Sequence, residues 1–209
     1  MNVFDFPSEF TEEHIPKMYS NIFNRQKELM EKYREIESKN GFHYPESLKV
    51  NLDDRFDQNL LKNMAWRVIE EVGESLESYF NPLDDKTHAK EELADGLHFF
   101  TELVILSGYS EKDLIPIDAQ ETWYKSNSSN IYELITSLVL LLGITMNCLK
   151  LKPWKQTHVK TDVSNYKTKL IIAYRAYIRL MLFMMKPIEV LNLYFSKSDV
   201  NRFRIRSNY

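Results

Sequence analysis

Glycine, proline and cysteine are scarce in this chain, whose 209 residues hold 5, 7 and 1 of them respectively. So few turn-formers disfavour a strand-rich fold with tight hairpins, and the plentiful Leu, Lys, Glu, Met and Tyr favour long helices. Lone Cys148 makes neither an intrachain disulfide nor a cysteine metal cluster by itself, which fits a reducing compartment. No basic excess is present: 27 Lys and Arg stand against 30 Asp and Glu, a net charge of −3, so a general nucleic-acid binder is not expected and a polyphosphate ligand would need cations. Long apolar runs are also missing. The longest uncharged stretch, Leu134 to Leu149, has 16 residues and is interrupted by Thr136, Ser137, Thr145 and Asn147, whereas a bilayer span takes about 20. It reads as a buried or interface helix, and no membrane association is expected. The opening MNVFDFPSEFTEEH mixes acids with aromatics and does not read as a secretory signal, so a cytoplasmic location is expected.

What is present is helical periodicity. Residues 18–39 repeat Met18, Ile22, Leu29, Tyr33 and Ile36 at helical spacing and stop before Gly41 and Pro45. Residues 56–80 place Leu60, Met64, Val68, Val72, Leu76 and Phe80 on one stripe, and Asn81-Pro82 ends them. A third helix covers 87–107, with Thr87 as its N-cap and Gly108 as its stop. The interval 111–129 is polar and broken by Pro116 and the run Ser126 to Ser129; 130–150 is a very apolar helix; 151–162, with Pro153 and Trp154, reads as a loop. A helix from Asn165 to Met185 carries Tyr174, Tyr177, Leu180, Leu182 and Phe183. Pro187 then starts another helix towards Tyr194, and a separate short helix is expected from about Ser198. The expectation is one all-α domain, a helical bundle over 1–209.

Two acid pairs at i, i+3 carry the chemistry: Glu71 with Glu74 on the second helix, and Glu92 with Asp95 on the third. That spacing places each pair on one helix face, so antiparallel packing across the 81–86 turn would gather four carboxylates. Such a cluster is costly when empty, because two unit charges about 4 Å apart repel by roughly 4 kcal/mol at an effective dielectric near 20. Hard oxygen ligands of this kind suit Mg²⁺, with Mn²⁺ as the alternative ion. Charged runs are usually solvated faces, but these acids border the apolar stripes of Val68, Val72 and Leu76 and of Leu93, Leu97 and Phe100. The end of the chain concentrates Lys197, Arg202, Arg204 and Arg206 among aromatics, a tail able to bind phosphates. His98, beside Phe99 and Phe100, reads as a packed helix residue.

The order of these motifs resembles the dimeric, all-α dUTPase and phage dCTP pyrophosphatase family, a branch of the MazG-like nucleoside triphosphate pyrophosphatases. Its E-x-x-E and E-x-x-D signature is matched by Glu71-Val-Gly-Glu74 and Glu92-Leu-Ala-Asp95, and its terminal signature by Tyr194-Phe-Ser-Lys197, Asn201, Arg204 and the closing Asn208-Tyr209. Gln26 resembles the amide that lines the family's base pocket. Departures are Ser198 for Asn, Ile205 for Gln and Asn208 for Gly, and a Trp-Lys loop whose counterpart, Lys152-Pro153-Trp154-Lys155, follows rather than precedes the second acid pair. Residues 111–162 are accordingly read as a lineage-specific insertion.

The resemblance implies an Mg²⁺-dependent hydrolase releasing a deoxynucleoside monophosphate and pyrophosphate from dUTP or dCTP. In it Glu71, Glu74, Glu92 and Asp95 hold metal, Lys197 joins them in catalysis, and Gln26, Tyr194, Lys197, Asn201 and Arg204 bind substrate. A homodimer is expected, in a cytoplasm that is the host's if the chain is phage-encoded. Two rivals remain: a MazG-like enzyme acting on a purine or modified nucleotide, and a non-catalytic helical interaction protein that uses its apolar helices as partner surfaces.

Overall fold

The computed structural model describes residues 15–84, 86–114, 130–152, 154, 156 and 159–207. Among them lie six α-helices: α1 (Ile15–Lys39), α2 (Arg55–Phe80), α3 (Thr87–Leu106), α4 (Ile131–Asn147), α5 (Val163–Met184) and α6 (Pro187–Arg206), with one 3-10 turn, Glu111–Leu114, and no strand. The expected breaks at Pro116 and Ser126 to Ser129, Pro153 in the expected loop, and the closing Asn208 and Tyr209 fall outside the described residues. No helix among the described residues is long and apolar enough to cross a membrane.

Three helices start on a side-chain cap. Asp54 accepts from the amides of Phe56 and Asp57 at 2.8 and 3.0 Å, Asn130 from that of Tyr132 at 2.9 Å, and Asp162 from that of Asn165 at 3.1 Å. Each cap satisfies an amide that has no partner within its helix, worth about 1 kcal/mol. Thr87 is not the cap of α3. That place is taken by Lys86 in a left-handed conformation, φ 70°, and Thr87 is the first helical residue. Lys86 offsets the backbone cost by turning its ammonium onto the carbonyls of Tyr79 and Asn81 at the end of α2, where the helix dipole also favours a cation. Gly108, at φ 80°, closes α3 as its composition implies.

α3 is the axis of the bundle. Fourteen of its 20 residues are buried, leaving only one face partly open along His88, Glu91, Asp95 and Phe99, and α1, α2, α5 and α6 all lie against it. Cross-helix contacts fix the directions. Ser75 Oγ donates to Ala89 O at 2.7 Å, and the Arg67 guanidinium lies 5.3 Å from the Phe99 ring, which makes α2 antiparallel to α3. Three tyrosines of α5 meet α3 in reverse order, Tyr166 at Ser107, Tyr174 at Thr101 and Tyr177 at Leu93 O. α6 instead runs parallel to α3, as Lys90 pairs with Glu189 at 3.2 Å and Asp95 with Lys197 at 2.7 Å.

Two expectations need correction. α6 is one unbroken helix rather than two, because Ser198 is buried within the bundle and Asp199 is tied to Arg25 of α1 at 3.1 Å. The apolar positions of α2 do not keep to one stripe either: Met64, Val68 and Val72 are buried, but Phe80 is exposed. Each four-residue step overshoots a helical turn by about 40°, so from Leu60 to Phe80 the row winds halfway round the helix.

Gly96 sets the closeness of α2, α3 and α5. A Cβ there would overlap the Tyr177 hydroxyl and lie 3.1 Å from Glu71 Cβ. In an open helix Gly→Ala gains about 1 kcal/mol. Here Gly96→Ala is expected to lower unfolding stability by about 1–3 kcal/mol, the range for overpacking. Chemical denaturation checks this, and a stabilised variant would mean that the helices do not approach so closely.

Candidate active site

The antiparallel α2–α3 hairpin brings the two acid pairs face to face. Carboxylate oxygens of Glu71, Glu74 and Glu92 lie within 4.8 Å of one another. Asp95 adjoins them and is held by Lys197 Nζ at 2.7 Å, with Glu91 Oε2 3.7 Å from the same ammonium. His88 Nδ1 stands 3.0 Å from Glu92 Oε1 on the outer side. Burial, a hydrogen bond with Glu92 and the charges of Asp95, Glu92 and Glu74 push the Glu71 carboxyl up to about 8. Lys197 is raised as well: burial alone would lower it, but its bond to Asp95 and the charges of Asp95, Glu92 and Glu91 outweigh that. The region is therefore an oxygen-rich, electron-rich site short of positive charge, as the chemistry of a hard divalent cation requires.

A cleft of about 280 Å³ runs from Glu71 and Asp95 into the bundle. Leu29, Met64 and Phe99 give it apolar walls, Asn201 and Arg204 of α6 lie along it, and Gln26, His98 and Glu102 form its inner end. The bundle thus brings Glu71, Asp95, Gln26, Asn201 and Arg204 together around one cavity, with Glu74, Glu92 and Lys197 at its acidic mouth. Tyr194 is the residue it does not bring to the surface of that cavity. It is fully buried behind His98, its ring stacked on the imidazole at 4.0 Å, its hydroxyl 2.9 Å from Gln26 Oε1 and 3.2 Å from Ile22 O. Tyr194 therefore supports the pocket from beneath.

His98 is a packed helix residue, as read from its neighbours. Its Nδ1 is 2.8 Å from Gln26 Oε1 and its Nε2 3.1 Å from Tyr194 O, and burial lowers it to about 3, so the ring is neutral. Gln26 Nε2 lies 3.3 Å from Glu102 Oε2, and the Tyr44 hydroxyl donates to Glu102 Oε1 at 2.8 Å. Burial pushes Glu102 up to about 7. Glu102, Arg67 and Tyr44 were not anticipated. A signal existed for two of them: Glu102 follows Asp95 and His98 at helical spacing, and Arg67 precedes Glu71 by one turn, so both share the faces of the acids.

Facing acid pairs at the mouth of a polar-ended pocket have the build of an all-helical enzyme site for a charged ligand. A family model described as dUTPase matches residues 18–209, and the chain belongs to the dUTPase family. That makes it a hydrolase of the dUTP pyrophosphatase type. Neither the curated proteins nor the solved structures gave a match.

The raised carboxyls have a consequence for stability. Glu71 and Glu102 hold protons more tightly when folded than at their ordinary value of 4.5, so above that value the native state carries the extra protons and stability falls as pH rises. His98 acts oppositely, but with a folded value of about 3 its effect is complete once pH exceeds its ordinary 6.5. From pH 6.5 to 8 the metal-free protein is therefore expected to lose thermal stability, and Glu71→Gln to remove the upper part of that loss. A wild-type melting temperature that stays level over this range would contradict the convergence of the acids.

Proposed function

We propose that this chain is an Mg²⁺-dependent pyrophosphatase that releases the deoxynucleoside monophosphate and pyrophosphate from dUTP, dCTP or both, with Mn²⁺ as the alternative ion. The observation that carries this is the meeting of Glu71, Glu74 and Glu92 oxygens within 4.8 Å, with Asp95 and Lys197 alongside. Glu71, Glu74, Glu92 and Asp95 would hold the ion, and the donor set fits it: four acids gather beside the ammonium of Lys197, and burial together with the neighbouring acids drives Glu71 towards its protonated form. When bound, the ion supplies charge to offset the triphosphate and makes nearby water more acidic.

The chain's own groups do the rest. A cluster carboxylate oxygen left over from metal binding accepts the proton of the water that attacks the first phosphorus, and pyrophosphate leaves. Lys197 uses one N–H on Asp95 and has two more for phosphate oxygens, while Arg204 offers a planar fork. Both stabilise charge that grows on the leaving group, without a covalent intermediate. Asn201, one turn from Lys197 on α6, serves the sugar or a phosphate oxygen. Gln26 at the inner end meets the base. Leu29, Met64 and Phe99 cover its faces, and a pyrimidine is the preferred occupant.

Asp95→Asn keeps the volume and removes one charge, so kcat for pyrophosphate release is expected to fall at least about 100-fold with the fold intact by circular dichroism. Unchanged turnover would reject the mechanism. Ranking kcat/KM for dUTP, dCTP, dTTP, dATP and dGTP under excess Mg²⁺ tests the substrate, and a purine at the head would reject the pyrimidine reading.

The reading extends to a cytoplasmic homodimer of a single catalytic domain, 1–209, in which 111–162 is an insertion. Its support is α4, whose outer face exposes Val139, Leu140 and Ile144, and Phe80, which stacks on Tyr132 at 5.3 Å beside it. Leu140→Glu is expected to turn a dimer into a monomer by light scattering at micromolar concentration. A wild-type monomer would reject this assembly.

A further inference from the structure

The inner end of the cleft holds more hydrogen-bonding groups than its acid chemistry uses, and they allow a complete accounting of protons. The two ends of a side-chain amide have the same shape, so the orientation of Gln26 follows from its neighbours. The His98 ring is buried, and Lys197 and Arg25 further disfavour a charge on it, so it carries one proton. Its Nε2 faces the carbonyl of Tyr194 at 3.1 Å, which only accepts. Nε2 must then bear the proton, and Nδ1 has only a lone pair to offer.

The amide atom 2.8 Å from Nδ1 is therefore the nitrogen of Gln26, the reverse of the orientation given above. One of its hydrogens goes to His98 Nδ1. The other meets the Tyr194 hydroxyl at 2.9 Å, and that hydroxyl in turn donates to Ile22 O at 3.2 Å. The carbonyl end of Gln26 now faces Glu102 Oε2 at 3.3 Å, a contact between two acceptors unless Glu102 carries a proton. With that proton every group in the chain is satisfied, since Tyr44 still donates to Glu102 Oε1 at 2.8 Å.

We propose that Glu102 is a positioning residue held as a neutral acid, whose O–H fixes the amide of Gln26 so that its carbonyl oxygen accepts an N–H from the edge of the bound base. In uracil that is the ring N–H, and in cytosine a hydrogen of the amino group. The inference rests on the pyrimidine reading above and adds the group that sets it. The surroundings of Glu102 agree. Tyr33 of α1, neutral His98 of α3 and Arg204 of α6 line the cleft beside it, and Tyr194 lies near. Burial pushes it up to about 7 even with a Gln26 N–H aimed at it; Glu37 of α1 also raises it, while the Tyr44 hydroxyl before α2 and the charge of Arg67 on α2 lower it. Turning the amide removes that N–H and strengthens the hold on the proton.

The test compares Glu102→Gln with Glu102→Ala. A glutamine reproduces a neutral acid here, with an N–H for Gln26 and an oxygen for Tyr44. Glu102→Gln is therefore expected to keep KM for dUTP within about threefold, whereas Glu102→Ala raises it about 10- to 100-fold with little change in kcat, as for a buried polar contact left unmet. The wild-type KM is expected to rise once pH passes the value at which Glu102 ionises, and Glu102→Gln to flatten that rise. Equal damage from both substitutions, or a pH profile unchanged by Glu102→Gln, would overturn the proposal. Infrared spectroscopy gives a readout independent of turnover: at pH 6 the wild-type-minus-Glu102→Gln difference spectrum is expected to show a protonated-carboxyl band, separate from that of Glu71, which both proteins keep, and a difference spectrum without it would overturn the neutral acid. A wild type that shows this band but releases no pyrophosphate from any deoxynucleotide would instead reject the functional reading, and with it the base contact.

Discussion

Like charges held together across a helix interface are the constraint on which the rest of this structure turns. Each pair of full charges at 4.8 Å would repel by about 3–4 kcal/mol at an effective dielectric near 20, and α2 and α3 gather three such carboxylates with a fourth beside them. Apolar packing must overcome this. Met64, Val68 and Val72 of α2 meet a central α3 that is buried nearly all round, and Gly96 removes the side chain that would keep the helices apart. Lys197 and a retained proton on Glu71 relieve part of what remains. The price in stability is the usual one for a site that must wait for its ligand.

The same central helix joins the two ends of the cleft. Asp95, His98 and Glu102 lie on one face of α3, so the acids at the mouth and the polar groups at the inner end are set by one rigid element. α6 lies parallel to it and carries Lys197, Asn201 and Arg204 along the cleft, pinned to α1 by Arg25 and Asp199. Residues far apart in sequence thus keep a fixed spacing from the acid cluster to the polar inner end, which helices hold better than loops.

The sequence made the acid pairs legible because i, i+3 spacing is local and the intervening turn is short, and the helices were legible from their apolar periods. What depended on distant partners was not. Ser198, Asp199 and Asn201 are weak helix formers, so a break in α6 was the local reading, but burial of Ser198 and the bond from Arg25 hold the helix through them. Thr87 has the chemistry of a cap, yet Lys86 took the place through carbonyls of the preceding helix. Tyr194 matched a motif, and only the position of His98 shows that it works from below. Glu102 shares the helical face of Asp95 and His98, but its partners Gln26 and Tyr44, 76 and 58 residues away, are not legible locally.

The claim that four carboxylates from two helices form one cation site is tested most directly by titrating the metal-free protein with Mn²⁺ and following free ion by electron paramagnetic resonance. Binding by the wild type is predicted, weakened strongly and alike by Glu74→Gln on α2 and Glu92→Gln on α3, because each removes a ligand from the same cluster. Binding that survives both substitutions, or a wild type that takes up no Mn²⁺, would contradict it.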